Sequence, residues 1–339
     1  MVRLTEMVRQ KDTSAIVFDW LNGDVRTLRR DYESVRAKPV PAEAEWIDAG
    51  GVRVLHFPAG AGGTSPPHSA SASLGGPLPA GERSSEALRL APSSPQRGEG
   101  GANAPDEGGK AIVKPRLRTT AIVYFHGGGF IVGSPLTHAD IATELIRHTG
   151  LPLYSVDYRL APDHPAPAPA ADGISVIRHL LGEGFNHILL CGDSAGGAIA
   201  LSVEATLPVE LRHHIIGVAS FYGAHGLLDT NSLIEKGNRE DGTDRACVAR
   251  YFLAAGGNAY SIEALARPSP VPVYLIAADD DPLRDDTVIL AKAMEVHGRV
   301  VTLDTVAGEN HGFLHQPHYA RAEAALGRFA IWLGALSNK

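Results

Sequence analysis

From residue 120 onward the chain alternates short apolar runs with stretches of helical spacing, and this constrains its fold more than any other feature. Strand-like runs at 120–125, 152–156, 187–191, 215–221, 271–278 and 299–306 are separated by helical patterns at 137–149, 170–181, 195–207 and 286–297, with a last helix at 319–336. Strands that are apolar on both faces must be covered on both. The pattern therefore predicts an α/β protein with a mostly parallel central sheet flanked by helices. Upstream, strands at 45–47 and 52–57 flank Ala49-Gly50-Gly51, a connection suited to a hairpin. Residues 14–40 are predicted as a helix, with Ile16, Val17, Trp20, Leu21, Val25 and Leu28 on one face before Pro39 and Pro41.

Two stretches interrupt the alternation. Residues 59–118 are dense in Gly, Ser, Pro and Ala and nearly free of aromatic side chains, so they cannot bury enough apolar area to offset their ordering entropy. They are expected to be a disordered insert in a shorter loop. Residues 224–270 have some helical character and, with an N-terminal cap helix region at 1–44, are expected to form a small, mainly helical cap over a principal domain at 45–339.

Composition narrows the function. The net charge of -7 comes from interspersed acids and bases, without the clustered Lys/Arg face that nucleic acid or anionic lipid requires. The 2 cysteines, Cys191 and Cys247, lie far from any Cys/His ligand spacing, so they read as buried free thiols. The opening MVRLTEMVRQKDTSAIVF is charged throughout and no later run could span a bilayer, which points to the cytoplasm. The expected partner is a small molecule, with neither nucleic acid nor membrane, and a homo-oligomer is left open.

The chemistry is carried by three motifs. Gly192-Asp193-Ser194-Ala195-Gly196-Gly197 follows the apolar run HILLC and opens a helix, the context that a G-x-S-x-G nucleophile elbow demands. An incidental serine in a glycine-rich turn is the competing reading, and it leaves the other motifs unexplained. His126-Gly127-Gly128-Gly129-Phe130 ends the run AIVYF and suits a glycine loop that offers backbone N–H groups to an oxyanion. Neither G-x-x-x-x-G-K-[ST] nor a helix-opening G-x-G-x-x-G is present, which argues against a phosphate loop. Donors at Gly128, Gly129 and Ala195 would put partial positive charge where a tetrahedral oxygen turns negative, each typically worth ~3 kcal/mol of barrier.

A base and an acid complete the set. Gly308-Glu309-Asn310-His311-Gly312-Phe313 places His311 in a loop after a strand, and VPVYLIAA runs into Asp279-Asp280-Asp281-Pro282-Leu283-Arg284-Asp285-Asp286. Asp285 and Asp286 suit helix N-capping, while position at the strand end leaves Asp279, Asp280 and Asp281 open. The order Ser, Asp, His is that of α/β-hydrolases. A serine hydroxyl needs a histidine to take its proton, and a carboxylate to orient that histidine and stabilise its cation. No cofactor and no metal are called for. His311, His315 and His318 have metal-ligand spacing, but Gly312 and Pro317 argue against a continuous helix to display them.

Taken in order, HGGGF, DYRLAPDHP, GDSAGG, DPLRDD and HGF resemble the hormone-sensitive-lipase-like bacterial esterases, the acetyl-esterase branch of the α/β-hydrolases. The resemblance covers essentially everything but 59–118. It implies Asp281 as the triad acid, with Pro282 restricting its backbone, His311 as the base, and Gly128 and Gly129 as oxyanion donors. It implies hydrolysis of small, short-chain carboxylic esters through an acyl-enzyme. Lactone, formamide or carbamate cleavage is the enzymatic alternative, and a non-catalytic small-molecule receptor is disfavoured by the retention of His311. One departure is Asp163-His164-Pro165-Ala166-Pro167, where the family has an aromatic in place of Ala166. This should alter packing beneath the cap and leave the triad untouched.

Overall fold

The computed structural model describes residue 16 and residues 18–60, 119–316 and 319–336. The expected disorder of 59–118 falls almost wholly outside them.

Helix α1 (Val25–Arg36) starts later than its apolar spacing suggested. The reason is local. Asp19 accepts the Asn22 N–H on its side chain (2.9 Å) and the Gly23 N–H on its carbonyl (2.9 Å), closing a turn. Asp24 then caps the helix by accepting from the Thr27 N–H at 3.0 Å. Phe18, Trp20 and Leu21 thus lie in a non-helical strap that still meets the core.

Strands β1 (Glu45–Asp48) and β2 (Arg53–Phe57) form the expected antiparallel hairpin. The alternation then runs β3 (Thr120–Phe125), α2 (Ala139–Thr149), β4 (Leu153–Val156), α3 (Ala168–Gly182), β5 (His187–Asp193), α4 (Ala195–Thr206) and β6 (Ile215–Phe221). After β6 come α5 (Asn231–Lys236), α6 (Arg245–Ala255) and α7 (Ile262–Leu265), the helical segment that breaks the pattern. The chain finishes with β7 (Val273–Ala278), α8 (Arg284–Val296), β8 (Val301–Val306) and α9 (Ala320–Leu336).

Among the described residues there is one 8-stranded sheet, ordered β1-β2-β4-β3-β5-β6-β7-β8. All pairings from β4 to β8 are parallel, and the hairpin joins β4 antiparallel at one edge. Side chains alternate between two cores, as the pleat requires. Ala121, Val123 and Phe125 of β3 pack with α3, α4 and α8 on one face, whereas Ile122 and Tyr124 pack with α2 and α9 on the other. Six successive buried residues in β3 are the sequence trace of that double cover.

Asp285 and Asp286 lie in the first turn of α8, whose N-cap position is Leu283, so neither caps its own helix as expected. Both reach the cap segment instead. Asp285 accepts the Ser232 N–H at the start of α5 (3.0 Å), and buried Asp286 accepts the His225 N–H (2.8 Å). Ala166, where the aromatic is lacking, donates its N–H to the Ala255 carbonyl at the end of α6. No helix among the described residues is long and apolar enough to cross a membrane.

Candidate active site

Because β3, β5, β7 and β8 are parallel, the segments that follow them all emerge at one end of the sheet. That end carries His126–Phe130, Ser194, Asp281 and His311, in the crevice where open α/β sheets hold their ligands.

Ser194 sits between β5 and α4 with φ 50° and ψ -121°, a conformation rare for a residue with a side chain. Its neighbours hold it there: its N–H donates to the Phe221 carbonyl at 2.9 Å, and its carbonyl accepts from Gly197 at 3.1 Å. The following turn leaves no room for a Cβ, since one added at Gly196 would lie 2.0 Å from the Phe125 carbonyl oxygen. This close approach is what the glycines of the motif supply.

Ser194 Oγ lies 2.9 Å from His311 Nε2, and His311 Nδ1 lies 2.9 Å from Asp281 Oδ2. The Asp281 side chain is fully buried, and its other oxygen accepts the Leu283 N–H at 2.7 Å. Asp280 N–H donates to the Glu309 carbonyl (2.7 Å) and Asp279 N–H to the Val306 carbonyl (2.9 Å), which tie the loop after β7 to the end of β8 and the loop that follows it. Burial opposes the positive charge of His311, but the adjacent Asp281 carboxylate outweighs it and raises the imidazole above its ordinary pKa.

In the glycine loop, Gly128 and Gly129 take positive φ of 112° and 58°. The Gly128 carbonyl accepts from Ile131 (3.2 Å) and Val132 (3.1 Å), while no backbone acceptor among the described residues takes the Gly128 or Gly129 N–H. Ala195 is the first residue of α4, where a backbone N–H has no intrahelical partner. Asp193, which sequence reasoning passed over inside the elbow motif, joins the two glycine-rich segments. Its Oδ1 accepts the Gly127 N–H (2.9 Å) and the Tyr124 hydroxyl (2.6 Å).

These groups open into a cavity of about 550 Å³ roofed by the strap and the 224–270 segment, through Phe18, Trp20, Tyr251 and Phe252. The roof is stitched together. Trp20 Nε1 donates to the Glu240 carbonyl (3.0 Å), and Arg250 donates to the carbonyls of Trp20 and Gly23, each at 2.6 Å. Of the roof residues, sequence reasoning marks only Trp20, as part of an apolar helical face. Tyr222 at φ 41° packs edge-on to His311, with 5.2 Å between ring centroids, and carries no motif at all.

A family model described as an alpha/beta hydrolase fold matches residues 122–315. An acetyl esterase of Salmonella schwarzengrund (strain CVM19633) is 30% identical over 224 residues, 60% of this chain and 68% of that protein. The acetyl esterase of Salmonella typhi matches to the same extent, 30% over 224 residues. Among solved structures, an esterase from the bacterial hormone-sensitive lipase family superposes with TM-score 0.69 at 18% identity, over 96% of this chain and 94% of that chain. A Pyrobaculum calidifontis esterase gives TM-score 0.66 at 22% identity, over 93% and 94%.

Proposed function

Since the chain belongs to the hormone-sensitive-lipase-like esterases of the α/β-hydrolase fold, and is by that membership a serine ester hydrolase, we propose that Ser194, His311 and Asp281 are the triad of this carboxylesterase and that its substrates are short-chain esters. The supporting observation is the unbroken chain of contacts from Ser194 Oγ through both nitrogens of His311 to Asp281, 2.9 Å at each step. Ser194 Oγ attacks the ester carbonyl while its proton passes to His311 Nε2, and Asp281 stabilises the imidazolium that forms. The N–H groups of Gly128, Gly129 and Ala195 receive the oxyanion. Collapse expels the alcohol, protonated by His311, and leaves an acyl-enzyme. Water activated by the same histidine then releases the acid. None of these steps calls for a metal.

A short acyl preference draws on the relatives named acetyl esterases and on the aromatic roof of the cavity. The reading places the reaction in the cytoplasm, in keeping with the buried, unpaired thiols of Cys191 and Cys247. The test is a fluorophosphonate probe with p-nitrophenyl esters of increasing length. One equivalent of label on Ser194, loss of more than ~10⁴-fold of turnover in Ser194→Ala, and fastest turnover on acetyl or butyryl esters are expected. Activity should survive EDTA. Labelling of another residue would move the nucleophile, and fastest turnover on long-chain esters would overturn the short-chain assignment.

A further inference from the structure

Beside the triad lies a second set of side chains with which the mechanism has no business: His138, Asp193 and His315, each offering a ligand atom, all within 4.8 Å of one another. Their hydrogen bonds fix which atoms are bare. The Thr137 hydroxyl donates to the Ser134 carbonyl at 2.9 Å, so its single proton is spent there. His138 Nδ1, 2.8 Å from Thr137 Oγ1, must therefore be the donor of that pair. Its Nε2 is left with a lone pair, and this faces Asp193 Oδ2 at 3.6 Å.

Asp193 Oδ1 is already engaged by the Gly127 N–H and the Tyr124 hydroxyl, which leaves Oδ2 as its free oxygen. His138 Nε2 and Asp193 Oδ2 thus face each other at 3.6 Å, too far apart for a hydrogen bond. Only Gly127 permits the approach: a Cβ there would lie 2.6 Å from Asp193 Oδ2 and 3.2 Å from His138 Nε2.

The third member is oriented in the same way. His315 Nδ1 lies 3.2 Å and 3.3 Å from the two oxygens of Asp140, which makes it a donor and leaves Nε2 free to bind. Its ring stands edge-on to His138, 4.7 Å between centroids. A histidine whose far nitrogen donates to a carboxylate is the usual supported form of a metal-ligating imidazole.

The geometry points to a zinc-class divalent cation bound by His138 Nε2, Asp193 Oδ2 and His315 Nε2, with its fourth position open to the cavity above Ser194. Two imidazoles and a carboxylate suit zinc, and bonds of about 2.0–2.2 Å in a tetrahedron separate ligand atoms by roughly 3.4 Å. The His138–Asp193 pair is already close to that spacing. His315, on a part-exposed turn, is the arm that closes. All three residues line the same cavity as Ser194, which gives an ion its route in. A second acidic group, Glu144, His148 and Glu323, is a poorer candidate because the Arg147 guanidinium pairs with both glutamates and supplies the cation there.

The bound ion would slow the ester reaction. It would sit on the residue that precedes Ser194 and add positive charge near His311, which must itself become a cation at each proton transfer. His315 finds its partners across the fold, His138 after β3 and Asp193 at the end of β5, and not along the 311, 315, 318 spacing of its own segment.

The experiment is calorimetric titration of chelator-stripped full-length protein with zinc chloride, with wild type beside His315→Ala, Asp140→Asn and Glu323→Gln. One equivalent should bind at micromolar concentration or tighter. His315→Ala should weaken it at least tenfold, Asp140→Asn by about 10–100-fold, and Glu323→Gln little, all with unchanged circular dichroism. Saturating zinc should lower turnover in wild type, reversibly with EDTA, and fail to do so in His315→Ala. No binding below millimolar zinc, binding indifferent to both His315→Ala and Asp140→Asn, or binding lost with Glu323→Gln alone would each overturn the site.

Discussion

Three consecutive aspartates leave β7, and their surroundings differ sharply. Asp279 and Asp280 keep about half or more of their side chains in water, at 51% and 68% exposure, and pair with Arg284 and Lys236. Asp281 is fully buried against His311. Sequence position could not separate them, because successive residues leaving a strand diverge in direction and only the fold shows which one reaches the imidazole. Changing each to Asn in turn should cost up to ~10⁴-fold in kcat at Asp281 and only a few-fold at Asp279 or Asp280, in a side-by-side kinetic assay. The same pair predicts a pH profile. His311 must be neutral to accept the serine proton, and its pKa is raised, so kcat/KM should climb through a midpoint above the ordinary histidine value of about 6.5. Removing the carboxylate charge in Asp281→Asn should move that midpoint to lower pH. A midpoint unmoved in the variant would sink the electrostatic assignment.

At the level of elements, the strands were legible nearly residue for residue, because burial on both faces writes itself as a continuous apolar run in β3, β5, β6 and β7. The cap was not. Helices α5 and α7 have 6 and 4 residues, too short for a periodic face to register, and tertiary anchors hold them. The first turn of α8 anchors α5 and the segment before it through Asp285 and Asp286. Asp286 is pushed up to about 7 by burial, although it accepts backbone N–H groups from His225, Leu227 and Gly226. From about pH 4 to pH 7 an unfolded chain would give up this proton while the folded one keeps it, so the residue's contribution to stability falls as pH rises through that window. Asp286→Asn has no proton to lose. The melting-temperature advantage of wild type over this variant should therefore shrink between pH 5 and pH 8, and a constant difference would show that the acid is not held protonated.

On the scale of the whole molecule, the long connection between β2 and β3 begins and ends at neighbouring points. Phe57 and Ile122 both register with Leu153 of the intervening β4, one on each side, which sets them about 10 Å apart across two strand spacings. The 8-stranded sheet is built from the described residues on either side of this connection. Removing residues 64–108 shortens the loop by roughly two halvings, at ~0.6 kcal/mol each in closure entropy. Melting temperature and turnover should both stay near wild type, and loss of either would mean that the segment takes part in the fold or the site.

The location of those two points also matters. Phe57 ends β2 and Thr120 begins β3 at the end of the sheet where the parallel strands start, whereas Ser194 and His311 stand where they finish, about 20 Å away along six residues of strand. A guest domain whose own termini lie about 10 Å apart can be grafted there without stretching the sheet. A covalent tether to a solid support at the same place leaves the catalytic mouth at the free end. The protein thus comes with a ready handle, set on the opposite side from its chemistry.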